Sequence, residues 1–215
     1  MFGRRQKTDI DARSVLLETA SRLFAKHGFE AVSTRMLAQE AGVNIAMIAY
    51  YFGSKEKLFE AIIDQKLPQA KEMLLHFLES DLEPWDKLRS VIRAYIERIF
   101  AYPSFSKLIN RELSLQQRPE HNERILRGIM DNWEIMSKII EEGQKKGVFR
   151  TDIDTIMTLS SIFGTIVQIV NTPIIAARLL QITDDKNVFS EETKNRLNIH
   201  LEKMIKAYLF VNRED

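Results

Sequence analysis

Between Thr34 and Leu58 the chain reads TRMLAQEAGVNIAMIAYYFGSKEKL, a set of residue types suited to holding duplex DNA. Two short helices crossing through a tight turn need a small residue at the crossing, a residue that accepts a left-handed backbone in the turn, and apolar contacts to lock the second helix. Ala38, Gly42 and the set Leu37, Val43 and Ile48 occupy those places in order. Asn44 follows the turn as a cap for the second helix, whose N-terminal half then faces a major groove. Further on, Ser54 is placed to cap a long helix, where free amides favour a phosphate oxygen and Lys55 adds a charge. Used only for packing, the same pattern is a helical hairpin.

Other chemistry is sparse. His27, His76, His121 and His200 lie far apart with no carboxylate at metal-ligand spacing, so no metal site is expected. The chain has no Cys, which excludes disulfides and thiolate chemistry and permits a reducing compartment. No Gly-rich phosphate loop, nucleophile elbow or His-Glu pair is present in the sequence, and neither catalytic residues nor a cofactor are expected. Met73, Phe77, Phe100, Met130, Trp133, Met136 and Phe163 suit the wall of an apolar ligand cavity; apolar residues at helical spacing equally build a core. Arg111 and Glu112 sit among Leu108, Ile109, Leu113 and Leu115. A carboxylate on that apolar stripe needs a partner, because unpaired burial is costly, and either an internal ion pair or a ligand would supply one.

Helices must position these groups. The 215 residues are 45% hydrophobic, enough to bury a core, but contain only eight Gly and five Pro, too few for a fold of strands and tight turns. The expected fold is all-α. Leu16, Ala20, Leu23 and Phe24 mark a first helix, with Asp9 or Asp11 as its cap, Gly28 as its stop and Phe29 packed back on Phe24. Leu58, Ile62, Met73 and Phe77 mark a long helix from Ser54, bent at Pro68; Trp85 to Ile99, Phe105 to Leu115 and Ile125 to Ile140 mark three more. Two last helices fall at about Asp152 to Asn171 and Ser190 to Phe210, separated by Pro173 and a polar stretch. Residues 1–57 carry nine Lys/Arg against six Asp/Glu and the rest 22 against 24, a split that suits a nucleic-acid module joined to a near-neutral domain. No signal sequence and no apolar run of bilayer length is seen, so the protein reads as cytoplasmic, with no membrane partner.

The N-terminal segment resembles the tetracycline-repressor (TetR/AcrR) family. The resemblance rests on Gly28-Phe29, Ser33-Thr34-Arg35, Leu37-Ala38, Ala41-Gly42-Val43, Tyr51-Phe52, Ser54-Lys55-Glu56 and Leu58, and covers about residues 11–62. It implies a helix-turn-helix domain over residues 1–56 and a helical ligand-binding and dimerisation domain over 57–215. It also implies a transcriptional regulator, most simply a repressor that binds a palindromic operator as a homodimer and is released by a small molecule. Thr34 and Lys55 then bind phosphates, with Asn44, Ala46, Tyr50 and Tyr51 beside the DNA. Ile45 and Ala49 stand where the family commonly has a polar or basic residue and a Tyr, so base reading is expected to use thymine methyl groups together with Arg35, Tyr50 and Tyr51. Arg4 and Arg5 are expected either as a minor-groove arm or as a basic tail. For the interface, the resemblance implies pairing of the last two long helices with their symmetry mates, through Ile156, Phe163, Ile166, Val170, Leu201, Met204, Ile205 and Tyr208. Two readings compete with an inducible repressor: a corepressor-dependent regulator or activator, and a helical enzyme or accessory protein whose N-terminal motif is only structural.

Overall fold

The computed structural model describes residues 3–210, with the side chains of residues 12–184 and 187–210. Among these residues there are helices and no strand. They are α1 (Gly3–His27), α2 (Thr34–Ala41), α3 (Ala46–Phe52), α4 (Lys55–Leu78), α5 (Pro84–Ala101), α6 (Pro103–Leu115), α7 (Pro119–Lys145), α8 (Thr155–Asn171), α9 (Pro173–Leu180) and α10 (Glu191–Leu209), with a short 3-10 helix at Asp185–Phe189. The side chains of Ser33, Asp154 and Ser190 accept bonds from the amides of Met36, Met157 and Thr193, which start α2, α8 and α10. Gly28 ends α1 with φ +86°, and the Phe29 ring stands 5.1 Å from Phe24, as the sequence predicts.

Two local expectations change. α1 begins at Gly3, so Asp9 and Asp11 lie within it rather than at its start. α4 runs through Pro68 as one helix, as expected. Pro173, read from sequence only as a breaker, opens α9 at its first turn, where a missing amide costs nothing. The side chains of Arg4 and Arg5 lie outside the described residues.

The chain forms two compact units. One takes the chain up to Pro68 together with Lys107–Leu126; the other takes Gln69–Ser106 and the chain from Arg127 on. A boundary at residue 56 therefore falls inside the first unit. The reason is the first half of α4: Leu58, Phe59, Ile62 and Ile63 are buried, and the Phe59 ring lies 5.9 Å from Phe24 and 5.5 Å from Phe29. The adjoining parts of α6 and α7 add Leu108 and Ile125 to the buried set.

The second unit has its own core. Leu88, Val91, Ile92 and Ile96 of α5, Ile135, Ile139 and Ile140 of α7, Leu159, Ile162, Ile166 and Val170 of α8, and Leu197, Leu201 and Ile205 of α10 meet there. Buried Lys87 donates to the Leu78 carbonyl at 2.7 Å and to Glu142 at 2.9 Å, tying the end of α4 to α5 and α7. Burial alone would raise the Glu142 carboxyl, but bonds from Lys87 and Lys146 hold it below the usual range.

This core divides the residues expected at the interface. Phe163, Ile166, Val170, Leu201 and Ile205 are buried within the protomer, whereas Ile156, Met204 and Tyr208 are exposed. An apolar helix does not state in its sequence which side meets its own core.

Candidate nucleic-acid interface and ligand-domain groove

The turn between α2 and α3 has the predicted construction. Gly42 adopts φ +66° and its amide bonds to the Ala38 and Gln39 carbonyls, so the chain reverses without strain. Leu37, Ala38 and Ile48 are buried behind it, with Val43 half-buried. Asn44 Oδ1 accepts from the Ala46 amide at 2.9 Å, one residue before the cap position that Ile45 occupies. An ion pair from Arg22 to Glu40 at 3.1 Å joins α1 to α2.

Ile48 and Phe52 turn one side of α3 inward. The opposite side presents Ile45, Ala46, Ala49 and Tyr50, with Ile45 49% exposed and Tyr50 77% exposed. The Tyr50 and Tyr51 rings meet edge to face at 5.0 Å, Tyr51 half-buried. Arg35 is exposed and Thr34 half-exposed at the start of α2. Met36, which sequence reasoning passed over, is an exposed apolar side chain on the same turn.

Ser54 caps α4 as predicted, its hydroxyl oxygen accepting from the Lys57 amide at 3.2 Å. Lys55 has a further attachment. Its ammonium donates to the Phe29 carbonyl at 3.1 Å and lies 4.2 Å from the centre of the Phe29 ring.

Arg111 and Glu112 fall in this same unit, not among the apolar residues proposed with them. Glu112 is 4% exposed and pairs with Arg118, whose guanidinium also lies 3.9 Å from the Phe29 ring centre and 3.4 Å from Glu30. The carboxylate on the apolar stripe has thus found an internal partner. Arg111 donates to the His27 carbonyl at 3.4 Å, and a Cβ at Gly28 would lie 2.7 Å from its Nη2. His121 stacks on Phe59 at 5.0 Å. Removing one side of a buried pair leaves the other charge uncompensated. Glu112→Ala is therefore expected to cost about 3–5 kcal/mol in a denaturant titration, with much of it recovered in Glu112→Ala/Arg118→Met.

In the second unit the expected cavity wall divides. Met136, Phe100 and Phe163 are packed in the core, Phe100 against Phe189 at 5.7 Å and Phe163 against Tyr95 at 4.5 Å. Burial pushes the Tyr95 hydroxyl up to about 12, so it stays protonated. Met73 and Phe77 are half-buried against this core. Met130 and Trp133 instead line an open groove of about 610 Å³ between α7 and α8, with Glu134, Lys138, Ile156 and Ser160. The Trp133 ring is 6.1 Å from Phe163 beneath it.

Residues 16–62, which hold the whole helix-turn-helix, match the bacterial regulatory proteins of the tetR family, and residues 81–171 match the tetracyclin repressor-like C-terminal domain. The chain belongs to the tetR family. It is 31% identical to the transcriptional repressor NicS of Pseudomonas putida over 153 residues, 70% of this chain and 71% of that protein. It is 26% identical to the fatty acid metabolism regulator protein of Bacillus subtilis over 160 residues, 73% of this chain and 80% of that one. In three dimensions it resembles the transcriptional regulator FadR from Bacillus subtilis in complex with stearoyl-CoA, with TM-score 0.67 and 20% identity over 90% of this chain and 97% of that one. This tetR-family chain is a DNA-binding transcriptional regulator. The family is one of regulators rather than enzymes. Among the described residues no single helix is long and apolar enough to cross a membrane, and no cluster of His, Asp or Glu could hold a metal ion.

Proposed function

We propose that two copies of this chain bind a palindromic operator in the cytoplasm, one α3 in each of two major grooves about one helical turn apart or a multiple of it, and that a small apolar inducer releases them. The observation that carries this reading is the outward side of α3, with Tyr50 77% exposed, held on a closed core by the Gly42 turn. Thr34, Arg35, Tyr50, Tyr51 and Lys55 are the residues proposed to contact the DNA beside it, with Asn44 and Ala46 at its start. Retardation of duplexes carrying inverted repeats from the DNA beside the gene tests the reading at moderate salt. Equal retardation of unrelated duplexes would remove the palindromic-operator reading.

Lys55 has three donors, and the bond to Phe29 uses one. The other two are available to a phosphate at the start of α4. Lys55→Ala is expected to weaken all duplexes alike and to lower the salt slope by about one unit per monomer. Titrations at several salt concentrations measure it; an unchanged slope removes Lys55 from the phosphate contacts.

The inducer is proposed to enter by the groove at Met130 and Trp133, where soft and aromatic side chains suit an apolar molecule. The Bacillus subtilis structure with stearoyl-CoA supports a ligand with an apolar portion. Useful release needs about 2–3 kcal/mol of differential binding, and linkage then requires operator DNA to weaken the inducer by the same factor. Equal inducer affinity with and without operator would exclude this route of control.

A further inference from the structure

Resting on the DNA-binding reading above, we infer that α3 recognises its half-site through thymine 5-methyl groups, so that the operator carries thymines in the major groove facing Ile45, Ala46 and Ala49. From Val43 to Phe52 the sequence holds no charged residue, so the strong bidentate contact of Arg or Lys with guanine has no donor on this helix. Beside it, Arg35 stands exposed on α2 rather than on this helix, and several neighbouring polar groups are committed. A bidentate contact with adenine needs both atoms of an amide, and Asn44 Oδ1 already accepts from the Ala46 amide at 2.9 Å. Ser33 and Ser54 spend their hydroxyl oxygens on the amides of Met36 and Lys57. Lys55 is drawn back to the Phe29 carbonyl and ring. What faces outward is an Ile side chain 49% exposed, two Ala methyls and the Tyr50 ring.

Alanines at positions 46 and 49, four residues at most from Ile45, add almost no bulk, so the helix backbone can approach the base edges closely. The apolar group that a major groove offers to such a surface is the thymine methyl. Burying one methyl contributes about fourfold in affinity, so one contact in each of two half-sites contributes about fifteenfold. The exposed hydroxyl of Tyr50 is left to fix position on the backbone or on neighbouring base edges.

The test uses the full-length protein and duplexes that it selects itself from a randomised library. Each thymine of the selected half-site is then replaced singly by deoxyuridine, which removes the methyl and keeps the pairing. At one or more positions a loss of about fourfold per replacement is expected, and Ile45→Ala or Ala49→Gly should abolish the sensitivity at the position each one faces. Thymines outside the half-sites should be insensitive. Unchanged affinity at every half-site position overturns the inference while leaving DNA binding intact. A deoxyuridine loss of the same size in wild type and in both variants also overturns it, because it assigns the effect to duplex shape. Failure to select any sequence defeats the DNA-binding reading itself.

Discussion

Glutamate in place of Ile166 is expected to unfold the chain. Ile166 is 0% exposed and faces the α5 and α10 side chains that build the second core, with Leu159, Ile162 and Val170 on the same side of α8. The described residues there are apolar, so a carboxylate at 166 meets no cation to pair with. It must be protonated or drag water inward, at a cost of several kcal/mol. Loss of the isoleucine's own burial adds about 2 kcal/mol. Together these approach the whole stability of an ordinary domain, about 5–15 kcal/mol. The helical circular-dichroism signal should be lost or its melting should become broad and early. Ile166→Val, which removes one methylene, should cost only about 1 kcal/mol. A well-folded Ile166→Glu monomer with wild-type melting would instead place Ile166 at a subunit interface.

The contrast between the two halves of the molecule shows what a sequence can specify. In the head, each local device depends on a residue type at a fixed offset. Gly42 must accept a left-handed turn, Ser33 and Ser54 must cap, Phe29 must fold back on Phe24, and the structure has all of these. In the second unit, Leu159, Ile162 and Phe163 were readable as apolar, but the choice between core, cavity and partner depends on which elements close over them. Periodicity says that a face is buried, not by what. Glu112 was legible as a group in need of a partner, yet Arg118 lies across the α6–α7 turn, where no periodic signal could point to it. The attachment of Lys55 to Phe29 spans 26 positions and is equally silent in the sequence. Ser161 and Gly164, small residues in an otherwise bulky helix, allow another helix to approach closely, and in the structure they mark its exposed side together with Met157 and Gln168.

That exposed side of α8 carries the second large effect. An added Cβ at Gly164 meets no atom within 4 Å, so the protomer has no packing reason for glycine there. A glycine in mid-helix is itself unfavourable by about 0.5–1 kcal/mol relative to alanine. The residue makes sense if a second helix crosses at that point and needs the room, as in the proposed dimer. Gly164→Glu should then leave the protomer as stable as before, or slightly more so, while breaking the pair. In a two-fold interface the substitution is present twice, and the two carboxylates come close to the axis and to each other. Sedimentation should find a folded monomer at micromolar concentration. Operator binding should suffer far more than any single contact would explain, because one head tethered by its partner gains about 10²–10⁴ in effective affinity and a monomer gains none. The pairing of outcomes separates this residue from Ile166: folded but monomeric at 164, unfolded at 166. A Gly164→Glu protein that remains dimeric and binds its operator at wild-type strength would move the interface away from this side of α8.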